Sequence, residues 1–307
     1  MPTYGMGEAI REMRTRFGYT QEELSYGICT PGTLSRIENG RAVVSKQVFE
    51  ALCQRMPGLH HVWISFDTKK EMQRSKLCKQ ILMNLELRRM DAAKSGIESY
   101  EELTEKENPF CRQFILYTQA IYQAIKKERI YEVLPKLKEA LAITLPDFKE
   151  RLYAQKKAVM LTYDEMYILS NMGIAYVQEN KEEDALSIFD FLRRYIERQK
   201  LDLAESMRVR PMILGNLAWT LEREGRFEEA VRYCDAGIEN CCFTGKFADL
   251  PHLLCIKAWC LTASGNLSMS KKSRRQAKAI LDITEEYRGY GSFKEFYQAR
   301  EPIFVTF

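Results

Sequence analysis

The stretch TQEELSYGICTPGTLSRIENGR, residues 20–41, reads as two short helices joined by a tight turn. Thr20 is a suitable N-cap, and Glu23, three residues on, completes a capping box. Leu24 supplies the apolar side of this helix. Gly27 lets the backbone turn sharply, as crossed helices joined by three or four residues require. Thr30 caps the next helix, and Pro31 takes its first position, where a missing N–H costs nothing. Leu34 and Ile37, three apart, give that helix an inward face. Asn39-Gly40 ends it with a left-handed residue.

Flanking segments complete a small helical unit. Residues 6–17 place Ile10, Met13 and Phe17 at helical spacing. Ser45 caps a helix in which Val48, Leu52 and Met56 recur every four residues. The unit closes near residue 66, and a domain of that size folds alone only marginally.

On Thr20-Gln21-Glu22-Glu23-Leu24 and Ser35-Arg36-Ile37-Glu38-Asn39-Gly40, this segment resembles the lambda-repressor-like (XRE/Cro) helix-turn-helix family. The resemblance covers residues 5–66 and implies a five-helix DNA-binding head. It implies that Gln21 anchors a phosphate, and that Pro31, Gly32 and Arg36 face the base edges. Asn39 and Arg41 would meet phosphate, with Thr30 and Thr33 on the same face. It also implies a structural ion pair between Arg14 and Glu38. Two departures stand out. Pro31 and Gly32 carry no hydrogen-bonding side chain, so direct readout rests mostly on Arg36, which can grip guanine O6 and N7 bidentately. Thr33 can add a thymine-methyl or phosphate contact. Residues 1–66 carry seven cations against six acids, a net +1, so one head anchors weakly to phosphate. A dimer reading two half-sites is expected.

From residue 69 onward helical periodicity and caps recur, with no convincing strand before the last few residues. Asn108-Pro109 is a cap followed by a first-position proline, and Thr162-Tyr163-Asp164-Glu165 is a second capping box. The segments also repeat. Leu169, Gly173, Tyr176, Ala185 and Phe189 occupy one frame. Leu214, Ala218, Leu221, Gly225, Phe227, Ala230 and Cys234 fill it again, as do Leu254, Ala258, Leu261 and Gly265. A weaker copy runs through Tyr117, Ile121, Ala124, Val133 and Leu137. This looks like a tetratricopeptide (TPR) array, although Ala185 and Ala230 lie 45 residues apart, against about 34 in the standard repeat. Such arrays stack so that their first helices line a concave groove. By register, that groove takes Asn171 and Asn216, with Gln119 in the weaker copy. Ile174, Trp219, Trp259 and Tyr122 sit one residue past the small position, and Gln178, Arg223 and Lys126 four further on. An asparagine both donates and accepts, so a ladder of them can read a peptide backbone. Arg223 or Lys126 could meet a terminal carboxylate. Against this, the asparagines can bond within the array, and Trp219 and Trp259 can be core.

Composition sets the outer bounds. The 307 residues are 46% hydrophobic and 29% charged, an ordinary globular make-up with a net charge of +4. No signal peptide and no apolar run long enough to span a membrane are visible. Nine cysteines, an odd count without an export signal, read as reduced thiols. Those between Cys234 and Cys260 fit no common zinc spacing and read as apolar filler. No nucleophile–base pair, metal motif or phosphate loop is present, so neither an enzyme nor a cofactor is expected. The run Lys271-Lys272-Ser273-Arg274-Arg275 reads as a solvated helix face.

Taken whole, the chain is an all-α protein with a head at 1–66, a linker helix region at 67–88 and a repeat body at 89–307. It resembles the RNPP family, the Rgg- and PlcR-like peptide-responsive regulators of Gram-positive bacteria. Glu23-Leu24-Ser25-Tyr26-Gly27-Ile28-Cys29-Thr30 is close to the PlcR-like branch. The resemblance implies a cytoplasmic homodimer that binds double-stranded DNA, with a short signalling peptide held by the repeats. The alternative is an interaction adaptor whose repeats sequester a protein partner, with weak or secondary DNA binding.

Overall fold

A computed structural model describes residues 6–56, 69–104, 108–127, 129–148, 160–198, 203–245 and 247–288. Among these residues the regular elements are helices: α1 (Met6–Arg16), α2 (Gln21–Ser25), α3 (Pro31–Glu38), α4 (Lys46–Arg55), α5 (Lys69–Glu86), α6 (Met90–Glu102), α7 (Pro109–Lys127), a 3-10 turn at Ile130–Val133, α8 (Leu134–Ala142), α9 (Tyr163–Gln178), α10 (Glu182–Arg198), α11 (Leu203–Arg223), α12 (Phe227–Thr244), α13 (Leu250–Ala263) and α14 (Leu267–Arg288). The fifth helix expected in the head before residue 66 lies outside the described residues.

The chain divides into two compact units. The first comprises Met1–Leu82, Asp91–Ala120 and Pro135–Ile168, the second Met83–Met90, Ile121–Leu134 and Leu169–Phe307. The division does not follow the expected order of head, linker and body. Instead, the head shares a unit with parts of the repeat array.

In the first unit, local chemistry sets the head's helix ends. Thr20 N donates to Glu23 Oε2 at 2.8 Å and Glu23 N to Thr20 Oγ1 at 3.1 Å, a complete capping box. Thr30 Oγ1 accepts from Thr33 N at 3.1 Å, and Pro31 opens α3. The apolar faces of these helices close on Ile10, Leu24, Leu34, Ile37, Phe49, Leu52 and Met56. Met160 belongs to the same core, and Phe110 packs against it, so the head's hydrophobic centre is completed from the repeat array. Asn108 Oδ1 caps α7 by accepting from Phe110 N and Cys111 N. The buried Gln113 amide ties α7 to the end of α8, donating to Ala140 O at 3.0 Å and Thr144 Oγ1 at 2.6 Å.

The second unit is a stack of helical hairpins with a recurring turn. Asn180, Gly225 and Gly265 all have positive φ. After each, the next backbone N–H reaches five residues back, Lys181 to Tyr176 O, Arg226 to Leu221 O and Asn266 to Leu261 O, at 2.8–2.9 Å. This is the Schellman closure of a helix C-terminus. Arg88 carries the same closure between α5 and α6, with φ 52° and Arg89 N bonded to Asn84 O. Sequence patterning misses that turn because arginine is not a left-handed turn residue by habit.

Small residues let the hairpins close. Ala185, Ala218, Ala230 and Ala258 are fully buried. A Cβ on Gly173 would lie 2.5 Å from Phe189 Cζ, whereas one on Gly215 would come no nearer than 3.4 Å, to Leu253 Cδ2. The helix-propensity gain of replacing a glycine is at most about 1 kcal/mol, against about 1–3 kcal/mol for overpacking. Gly173→Ala should therefore lower stability, and Gly215→Ala should leave it unchanged or raise it. Urea unfolding of the two variants measures the difference in sign.

Candidate nucleic-acid interface

Helix α3 is built with one face in and one face out. Leu34, Ile37 and Glu38 are buried, while Pro31, Gly32, Arg36 and Asn39 are exposed, with Arg41 exposed just beyond. Gly40, with φ 68°, ends the helix and turns Arg41 outward.

The inward face is fixed by one carboxylate. Glu38 receives Arg14 Nε at 2.6 Å, Arg14 Nη2 at 2.9 Å and Gln21 Nε2 at 2.7 Å. Arg14 also donates to Tyr19 O at 2.8 Å, so one buried cluster joins α1, α2 and α3. Burial opposes ionisation of Glu38, but the hydrogen bonds from Arg14 and Gln21 outweigh it and hold the carboxyl below its usual 4.5. The bond from Glu38 raises the Arg14 pKa in turn. Gln21, assigned by resemblance to phosphate, thus spends one amide hydrogen inside the head and keeps the other for an outside partner.

The outward face is partly pre-arranged. Thr30 Oγ1 and Thr33 Oγ1 lie 2.9 Å apart, and Arg36 Nη2 donates to Thr33 Oγ1 at 3.3 Å. Thr33, backed by Thr30, therefore holds the Arg36 guanidinium along the helix, an arrangement their sequence spacing did not reveal. Asn39 Nδ2 donates to Ser35 O at 2.7 Å, so its amide caps the helix as well as facing outward. Val43, 92% exposed in the following loop, is an exposed apolar side chain that pattern reading passed over.

The expected peptide groove is placed differently. Asn171, Asn216, Trp219 and Trp259 are at most 3% exposed, and Ile174 is buried too. Asn216 Nδ2 donates to Ser170 Oγ at 2.9 Å. Along 163–178, 209–221 and 250–260, helices α9, α11 and α13 are buried almost all round, which encloses all five side chains. Gln178 is half-buried and accepts from Ile130 N at 3.0 Å. Arg223 is exposed, lies 5.7 Å from the Trp219 ring centre and pairs with Glu182 at 3.3 Å. Gln119 and Tyr122 are half-buried and Lys126 is exposed. A separate groove of about 460 Å³ is lined by Ile238, Leu254, Lys257, Met269, Lys272 and Ile280, none of them in the expected set.

No group of three or more His, Cys, Asp or Glu among the described residues is arranged to hold a metal. Burial pushes the thiols of Cys53, Cys241, Cys255 and Cys260 up to about 12, which disfavours the reactive thiolate. No described helix is long and apolar enough to cross a membrane.

These features define a helix-turn-helix DNA-binding protein with a helical-repeat body. The family model described as "Helix-turn-helix domain" matches residues 6–56. Over its full length the chain is similar in fold to PlcR of Bacillus thuringiensis solved with the peptide PapR7 and DNA. The identity is 19% and the TM-score 0.59, with 98% of this chain and 100% of that chain covered. The apo form of PlcR matches at 18% identity and TM-score 0.57, with 96% and 97% covered. No curated protein matches this chain by sequence.

Because the Glu38 pKa is depressed on folding, its contribution to stability is complete above pH 4.5 and lost as pH falls through the lowered value. Urea midpoints measured from pH 7 down to pH 3 should drop across that window, and Glu38→Gln should remove this part of the slope.

Proposed function

We propose that the protein is a sequence-specific transcriptional regulator that binds double-stranded DNA as a homodimer and is controlled by a short signalling peptide held in its repeat body. The observation that carries the reading is the two-sided build of α3. Its inner face is locked by Arg14, Gln21 and Glu38, and its outer face presents an Arg36 already oriented by Thr33. The fold shared with a peptide- and DNA-bound regulator supports the peptide arm. A cytoplasmic location follows from the same reading.

On DNA, Arg36 reads a guanine, Thr33 supports it, and Gln21, Asn39 and Arg41 meet phosphate alongside the ends of α2 and α3. Two heads are needed, since seven cations against six acids leave one head a net +1. For the peptide, the solvent-accessible candidates are Lys126 and Arg223, with Gln119, Tyr122 and Gln178 partly covered. A peptide carboxylate would displace Glu182 from Arg223. The peptide regulates only to the extent that it binds one head arrangement better than another; a coupling of about 1–3 kcal/mol shifts operator affinity 5- to 150-fold.

A second reading, an adaptor that sequesters a protein partner, is favoured by the bare Pro31-Gly32 positions on the reading face. Selection from random duplex DNA with the full-length protein separates the two. Enrichment of a two-fold-symmetric, salt-sensitive site is expected of the regulator; partner capture without any DNA enrichment is expected of the adaptor.

With such a site in hand, Arg36→Ala should cost about 1–3 kcal/mol of discrimination at one guanine per half-site and leave the helix content unchanged. Arg223→Ala should weaken the peptide response and leave peptide-free DNA binding as it was. Gel-shift titration against matched and mismatched operators, with and without peptide, reads both.

A further inference from the structure

The head has a second contact surface that DNA reading does not use. Helix α4 ends at Arg55, whose side chain is 1% exposed. Arg55 Nη1 donates to Tyr26 O and, at 3.4 Å, to Leu24 O, gripping the end of α2. Arg55 Nη2 pairs at 3.2 Å with Oε1 of the fully buried Glu165. The other Glu165 oxygen accepts from Thr162 N at 2.6 Å, closing the cap of α9. One guanidinium therefore joins α4, the helix-turn-helix turn and the first turn of α9.

Three further contacts surround it. Tyr26 Oη donates to Asp147 Oδ2 at 2.7 Å, and Tyr163 N donates to Gln54 Oε1 at 2.8 Å. The Gly27 backbone sits so close to residue 144 that a Cβ would be 1.7 Å from Thr144 O. Meanwhile Pro31, Gly32, Arg36, Asn39 and Arg41 remain exposed on the same head. The contact therefore holds the head with its reading face outward.

We propose that Arg55 and Glu165 are positioning residues for DNA recognition: their buried pair fixes each head on the repeat array and so sets the half-site spacing that the dimer accepts. This rests on the DNA-binding reading above. A buried ion pair is a poor source of net stability but demands one geometry. Two heads held in that geometry read two half-sites at one separation. A head released onto its tether reads several separations, each with a lower effective concentration.

The test uses the full chain and a library of paired half-sites that differ only in spacing. Glu165→Gln removes the charge and keeps an acceptor for Thr162 N, leaving the head's own residues untouched. Wild type should enrich one spacing. Glu165→Gln should enrich several, with affinity at the preferred spacing down about tenfold and affinity for a lone half-site unchanged. A Glu165→Gln protein that keeps the single wild-type spacing and affinity overturns the positioning role while leaving the DNA reading intact. A wild type that enriches no paired site overturns the DNA reading, and the spacing role with it.

Discussion

The head depends on a single carboxylate. Glu38 gathers two donors from Arg14 and one from Gln21, and so holds three helices to one another from within. A buried acid is tolerable only when its charge is met in this way. Because the cluster lies on the inner side of Pro31–Glu38, the outer side is left to the residues that can touch a base edge. Arg36 is steadied from its own helix by Thr33, whose hydroxyl lies against that of the N-cap Thr30. The cap that starts the helix thereby also steadies the exposed Arg36.

The repeat body obeys a different constraint. Its first helices are enclosed on nearly every side along 163–178, 209–221 and 250–260. Enclosure requires small residues where helices cross and partners for every buried polar group. Gly173 against Phe189 answers the first need, and Asn216 bonded to Ser170 answers the second. On these three helices the exposed residues sit at the C-terminal ends, Arg223 among them.

Much of this was legible in the sequence, and the limits have a physical cause. Thr20 with Glu23, Thr30 with Pro31, Asn108 with Pro109 and Thr162 with Glu165 are local signals, because a cap is satisfied within three residues. The small residues at 173, 218 and 258 marked the hairpin frame for the same kind of reason. The burial of Asn171 and Trp219 was not legible, because register says which residues share a face, not whether that face meets solvent. Helices apolar all round give no contrast from which to decide. The pairing of Arg55 with Glu165 left no trace at all. Its partners are 110 residues apart; Arg55 alone reads as an ordinary surface charge, and Glu165 reads only as the acid of a capping box.

Gly27 and Gly40 look alike in the sequence, each a turn residue at the end of a short helix. Both adopt left-handed backbone, with φ 71° and 68°. Around Gly40 nothing lies within 4 Å of a prospective Cβ, while at Gly27 the carbonyl of Thr144 already occupies the place. Asparagine, which tolerates left-handed backbone better than other residues, could stand at position 40 but not at 27. Gly40 answers to its own helix end alone. Gly27 also answers to a segment more than a hundred residues away, so a drift of that segment would be needed before position 27 could accept any side chain.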